Sequence, residues 1–224
     1  LGLDAPSGSY KGSSREDFIA SAFYAYSTEL VIRAGEALGE EVSAYQALYQ
    51  NILKTFRATY PEYYTQTECV LALHFHLCED PEKTVQQLAE KIWACGHHLE
   101  TGFVGTPYLL HVLSSHGETK LAYDLLLREE YPSWLYPVTR GATTIWEHWD
   151  GIHEDGSFWS DDMNSFNHYA YGAVADWVYQ VAAGITPLAP GYQKVKIAPQ
   201  PDARLEELEA VSYTHLTLPT ILRV

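Results

Sequence analysis

Glu147 stands between Trp146 and Trp149 in a stretch rich in tryptophan, glycine and acidic residues. Aromatic walls exclude water and offer a flat face to the C–H groups of a sugar. A carboxylate partly stripped of water is a better proton acceptor. Position alone favours the plainer reading, a solvated loop carboxylate, because charged side chains are usually exposed. The two tryptophans either line a site or belong to the core. Further on, His168 is either a ligand contact or a satisfied core histidine, and Asn167 beside it either binds or caps a helix. Other groupings are weaker. Asp161-Asp162 is a lone acidic pair without the rest of a diphosphate-binding motif. His148, His153, Glu154 and Asp155 lack the i, i+4 histidine pairing of helical zinc sites and read as loop surface, so no metal site is expected. His74 and His76 lie two apart on a helical pattern and face different directions.

Composition narrows the partners. The chain of 224 residues is 46% apolar and 13% aromatic, enough for a sizeable core. A formal net charge of −15 disfavours nucleic acid and anionic lipid surfaces. No apolar run reaches the ~20 residues of a membrane span, and Asp176 interrupts the longest candidate. Cys69, Cys78 and Cys95 are odd in number and sit in apolar, helix-like contexts. They read as buried free thiols of a reducing compartment, which favours the cytoplasm. Nothing in the sequence fixes an oligomeric state.

The elements that must position these residues are mostly helical. Ser13 and Glu16 stand at capping-box spacing ahead of a periodic run of Ile19, Ala22, Phe23, Tyr26 and Leu30, and Gly39 supplies a stop. A second helix carries Tyr45, Leu48, Tyr49, Ile52, Leu53 and Phe56, and a third runs through residues 69–78. Asp80-Pro81 reads as an N-cap with proline at the first helical position, followed by Val85, Leu88, Ala89, Ile92 and Trp93. Shorter helices are expected over 107–116 and 119–130. A last long one is expected over 164–183, with Phe166, Ala170, Ala173, Trp177 and Val181 as its buried stripe. Residues 131–162 break the pattern, and long irregular loops on a rigid scaffold are often functional. After Gly184 the alternation over 193–197 predicts a short strand. Short connections make neighbouring helices antiparallel, as in a bundle or an α/α toroid.

Four ordered motifs carry a resemblance. Thr101-Gly102-Phe103-Val104-Gly105-Thr106 is followed by Tyr131-Pro132-Ser133-Trp134, then by Gly141-Ala142-Thr143-Thr144-Ile145-Trp146-Glu147-His148-Trp149, and last by Ser165-Phe166-Asn167-His168-Tyr169-Ala170-Tyr171-Gly172. Together they resemble the catalytic domain of bacterial α-L-rhamnosidases, inverting glycoside hydrolases built on an (α/α)6 barrel. The resemblance covers most of residues 1–204. It implies an all-α fold, a partial (α/α)6 barrel followed by the start of a small β domain. Residues 1–185 would be the C-terminal portion of the barrel, and 186–210 a linker with the first strands of the β domain. It also implies hydrolysis of terminal α-L-rhamnosides, with a rhamnose-containing glycoside or oligosaccharide as partner and no cofactor.

Inverting hydrolysis needs a carboxylic acid to protonate the leaving oxygen and a carboxylate to deprotonate water on the opposite face, roughly 6.5–9.5 Å apart. The resemblance places the general base at Glu147 and a sugar contact at His168, with Trp146, Trp149 and Asn167 as further substrate-binding residues. The family's general acid lies upstream of the matched region, and no equivalent motif appears in this chain. The expectation is a C-terminal half-barrel, poorly soluble and nearly inactive by itself. Residues 211–224 resemble translated sequencing-adaptor DNA and are expected to be a non-native tail. The alternatives are another α/α-barrel glycosidase or polysaccharide lyase, or a non-catalytic carbohydrate-binding half-domain.

Overall fold

The computed structural model describes residues 12–162, 164–212 and 220–223. The chain divides into two compact units, Leu1–Val112 and Leu113–Val224. In the first, α1 (Glu16–Leu38) and α2 (Ser43–Thr59) pack as a helical hairpin. Gly39 ends α1 in the left-handed region at φ 73°, its N–H donating to the Glu36 carbonyl, as a stop glycine should. The start differs from expectation: α1 begins at Glu16 with Arg15, not Ser13, as N-cap. A tertiary contact sets this boundary, because the Arg15 N–H donates to Glu68 Oε1 at 3.0 Å.

Of the expected α2 stripe, only Phe56 is buried among the described residues, while Tyr45 and Leu48 stay exposed. α3 (Gln66–His74) is buried from Gln66 through Leu73 and forms the centre of this unit. It starts at Gln66, three residues before the expected 69–78, and ends at His74; Thr65 caps it, its hydroxyl accepting the Glu68 N–H at 3.1 Å. α4 (Pro81–Ala94) begins as read: Asp80 caps it, accepting the Lys83 N–H at 3.0 Å, with Pro81 in the first turn. Val85, Leu88, Ala89 and Ile92 are buried, but Trp93, four residues on from Ala89 at the edge of the same stripe, is 50% exposed. Cys69, Cys78 and Cys95 are free, and burial pushes the Cys69 thiol up to about 12.

α5 (Thr106–Ser115) carries the chain into the second unit, which holds α6 (Thr119–Leu126) and the short α7 (Leu135–Thr139). The expected long helix over 164–183 is a correction. Residues 164–169 are irregular, and the helical stretch opens only with a 3-10 turn at Ala170–Ala173. It continues through α8 (Val174–Trp177) and ends in a π turn at Val178–Ala182. Trp177 is its buried anchor, 1% exposed. The expected strand appears as β2 (Val195–Ile197), antiparallel to β1 (Ile185–Pro187) with Ile185 opposite Ile197. A second hairpin pairs β3 (Glu209–Ser212) with β4 (Thr220–Arg223). Residues 213–219 and 224 of the adaptor-like tail lie outside the described residues. No helix of the described residues is long and apolar enough to cross a membrane.

Gly184 joins the helical stretch to β1 and allows no side chain. Its φ is +69°, and an added Cβ would lie 2.1 Å from the Ala198 carbonyl carbon. Left-handed strain and a backbone clash act together there. Gly184→Ala is expected to destabilise the protein by about 3 kcal/mol, read as a lowered midpoint in urea unfolding.

Candidate active site

Two irregular segments, 141–151 and 164–169, build the site by exchanging backbone hydrogen bonds. The Glu147 N–H donates to the Ser165 carbonyl at 2.8 Å, and the His168 N–H donates to the Ile145 carbonyl at 2.8 Å. The Thr144 hydroxyl donates to the Phe166 carbonyl, and the Asn164 amide donates to the Gly151 carbonyl at 2.8 Å. This pairing is why no helix forms over 164–169: its backbone groups are committed to the 141–151 segment instead of to their own i±4 neighbours.

The same pairing aims Glu147. The Ser165 N–H donates to Glu147 Oε2 at 3.0 Å, and among the described residues Oε1 has no hydrogen-bond partner. One oxygen is therefore fixed and the other is available to a proton-bearing ligand. Glu147 is half-buried, while the rings on either side are fully packed. Trp146, 5% exposed, meets Phe166 edge-on at 5.2 Å. Trp149, 3% exposed, stacks on Tyr171 at 3.8 Å and meets Trp134 edge-on at 5.3 Å. Trp134 in turn donates its indole N–H to the Tyr171 carbonyl at 3.0 Å. Gly151 is needed for space, since a Cβ would come within 3.1–3.2 Å of Asn164, Phe166 and Trp146 side-chain atoms.

His168 is half-buried and sits on the irregular segment just before the 3-10 turn, not inside a helix. Its Nδ1 accepts the Ala170 N–H at 3.3 Å, so the neutral ring carries its proton on Nε2 and presents a donor there. Asn167 is exposed, with its backbone N–H on the Ser165 hydroxyl at 3.3 Å.

His148 corrects the surface reading. It is 7% exposed and lies flat against Trp159, ring centroids 3.6 Å apart and planes 12° apart. Burial holds its imidazole below the ordinary histidine range, against the opposing pull of Glu147 and Asp150. Burial likewise raises the Tyr171 hydroxyl above its usual range, with Tyr131, Asp150 and Glu147 adding to it. Trp159 is a partner that sequence reasoning missed, and Phe166 and Tyr171, though quoted within the fourth motif, were not read as packing on the two tryptophans. Trp159 was detectable, because Asp155-Gly156 between Ile152 and Phe158 is a hairpin signal. The other two needed the fold.

Beside the site a cavity of about 880 Å³ is lined by Tyr131, Tyr136, Arg140, Asp150, His153 and Glu154, among others. Arg140 pairs with Glu154 at 2.9 Å and covers the Tyr136 ring at 5.0 Å. Burial pushes the Tyr131 hydroxyl up to about 12, with Asp150 adding to the shift. No group of three metal-ligating side chains occurs among the described residues.

Residues 3–182 match the family described as bacterial alpha-L-rhamnosidase 6 hairpin glycosidase domain. An alpha-L-rhamnosidase of Formosa agariphila is 43% identical over 218 residues, 92% of this chain and 24% of that protein. One of Streptomyces avermitilis is 41% identical over 203 residues, 87% of this chain and 20% of that protein. Among solved structures, Streptomyces avermitilis alpha-L-rhamnosidase complexed with L-rhamnose superposes with a TM-score of 0.88 at 39% identity, covering 94% of this chain and 21% of that one. The enzyme of Aspergillus terreus gives a TM-score of 0.82 at 32% identity, covering 87% of this chain and 24% of that one. The chain thus spans a fifth to a quarter of the length of the relatives it matches. The fold class expected from sequence, a mostly helical partial (α/α)6 barrel, is that of the matched family and structures.

Proposed function

Because the chain belongs to the bacterial alpha-L-rhamnosidase six-hairpin glycosidase family, we propose that it supplies the base-bearing part of an enzyme that hydrolyses terminal α-L-rhamnosides with inversion. The observation that carries this reading is the half-tethered Glu147 carboxylate, held at Oε2 by Ser165 and open at Oε1 among the described residues. Such a group takes a proton from water at a fixed position. The water then attacks the anomeric carbon on the face opposite the leaving oxygen, and free L-rhamnose departs. No cofactor takes part.

His168, a donor at Nε2, hydrogen-bonds a rhamnose hydroxyl, and the exposed amide of Asn167 offers a further polar contact. Trp146 and Trp149 serve as buried walls that exclude water from the back of the site. The proton donor to the leaving group is supplied from outside residues 1–224, whose sequence contains no matching motif. Within this chain we assign 1–185 to the barrel and 186–210 to a linker with the first strands of a β domain. Residues 211–224 are assigned as an adaptor-derived tail with no role. Finding the same codons at the genomic locus with another library chemistry would overturn that last assignment.

The test uses the whole protein that contains this segment, with an aryl α-L-rhamnoside followed by proton NMR. The first-formed sugar is expected to be β-L-rhamnose. First-formed α-L-rhamnose, or turnover of other aryl glycosides in preference, would contradict the proposal. His168→Ala is expected to raise KM about tenfold, the loss of one hydrogen bond of about 1.4 kcal/mol. A KM within error of wild type would remove His168 from the sugar contacts.

A further inference from the structure

Glu147 belongs to a run of four residues whose other three side chains are buried rings, each pinned to a different downstream ring. Trp146 is pinned by Phe166, Trp149 by Tyr171 and His148 by Trp159. Phe166 comes from the segment that already hydrogen-bonds to Glu147, and Tyr171 from the 3-10 turn that follows it. Trp159 comes from elsewhere, a hairpin formed by residues 151–159. Its turn is at Asp155-Gly156, with Gly156 at φ +83°. Asp155 Oδ1 accepts the Ser157 N–H at 2.9 Å and its hydroxyl at 2.6 Å. The His153 N–H donates to the Ser157 carbonyl at 2.8 Å, and the Trp159 N–H returns to the Gly151 carbonyl at 3.1 Å. This geometry folds Trp159 back over the residue next to Glu147.

Resting on the hydrolytic reading above, we infer that Trp159 is a positioning residue for the base: its ring clamps His148 and so fixes the peptide that carries the Glu147 carboxylate. His148 needs such a clamp. Its Nε2 is buried and has no hydrogen-bond partner among the described residues. A buried polar atom left unpaired gains by moving to water. The imidazole is therefore held in place by its stack on Trp159 and not by a hydrogen bond of Nε2. Without that cover the ring swings outward to be hydrated, and it turns the backbone shared by residues 147 and 148. Glu147 then loses its alignment on Ser165, and with it the placement of the open oxygen. Misplacement by about 1 Å costs on the order of 100-fold in rate. Binding of the sugar, made largely by other groups, changes little.

The test measures the whole protein with an aryl α-L-rhamnoside. Trp159→Ala is expected to lower kcat by about 10- to 100-fold and to leave KM within about twofold. Trp159→Phe, which keeps a flat ring over His148, should restore most of kcat. If Trp159→Ala fails to fold, Trp159→Leu keeps the bulk without the flat face and should show the same split. An unchanged kcat in Trp159→Ala overturns the inference. So does a KM that rises in step with the loss of kcat, which marks lost sugar binding, or a Phe variant as poor as Ala, which removes the flat ring as the cause. A wild-type protein inactive on every α-L-rhamnoside sinks the hydrolytic reading instead, whereas an active wild type with an indifferent Trp159→Ala sinks this inference alone.

Discussion

Glu147→Gln in the whole protein is expected to lower kcat about 1,000-fold while rhamnose binding persists. The substitution keeps the size of the side chain and an acceptor oxygen for the Ser165 N–H, which holds Glu147 Oε2 at 3.0 Å. The backbone bond from residue 147 to the Ser165 carbonyl is untouched. The amide cannot take a proton from water. General base catalysis typically contributes about 100- to 10,000-fold, and a 1,000-fold loss corresponds to about 4 kcal/mol of barrier. Calorimetric titration with L-rhamnose should give a Kd close to wild type, because the sugar contacts assigned to His168 and Asn167 remain. A kcat within a few-fold of wild type would remove Glu147 from the mechanism.

The second large effect concerns stability. Glu68 has no exposed surface, yet its carboxylate is fully engaged. Oε1 accepts the Arg15 backbone N–H at 3.0 Å and its Nε–H at 3.1 Å, while Oε2 accepts from the Arg15 guanidinium at 2.8 Å and the Tyr64 N–H at 2.8 Å. The guanidinium is itself bracketed by the Tyr64, Tyr60 and Phe18 rings at 4.5, 5.1 and 5.3 Å. This pair ties the start of α1 to α3. Removing one partner of a buried, hydrogen-bonded pair strands the other, and Glu68→Ala should destabilise the protein by about 3–5 kcal/mol. Burial alone would raise the Glu68 pKa, but the Arg15 and Tyr64 bonds overcome it, and the folded value lies below the ordinary one. A depressed carboxylate stabilises the fold above its unfolded pKa of about 4.3 and loses that contribution as pH falls through the folded value. The gap in unfolding free energy between wild type and Glu68→Ala should therefore be full at pH 7 and shrink under acid. Denaturant titrations at both pH values read it, and a gap independent of pH would contradict the assignment.

Local signals were legible wherever the chain's own neighbours satisfy the backbone. Gly39 stops α1 and Asp80-Pro81 opens α4 because each cap is made within a few residues. Boundaries set by distant partners were not legible. Arg15 takes the N-cap position under the hold of Glu68, far along the chain. The stripe through Phe166 and Ala170 has helical spacing, but Ser165 and His168 spend their backbone groups on Glu147 and Ile145. Periodicity also marks a face that can bury, not one that does, as the exposed Tyr45, Leu48 and Trp93 show.

The candidate site divides along the same line. Ordered motifs singled out Glu147, His168, Asn167 and the two tryptophans. The same motifs gave no sign that His148 is a buried ring beneath Trp159, because its polarity reads as surface and its partner comes from a hairpin.

The central claim, that Glu147 activates the attacking water, is tested most directly by chemical rescue of Glu147→Ala in the whole protein. Azide needs no deprotonation and fits the space that the missing side chain leaves. The account predicts that hydrolysis of an aryl α-L-rhamnoside is nearly abolished in this variant and that added azide restores turnover with β-L-rhamnosyl azide as product. Undiminished hydrolysis by the variant, or an azide product that keeps the α configuration, would contradict it.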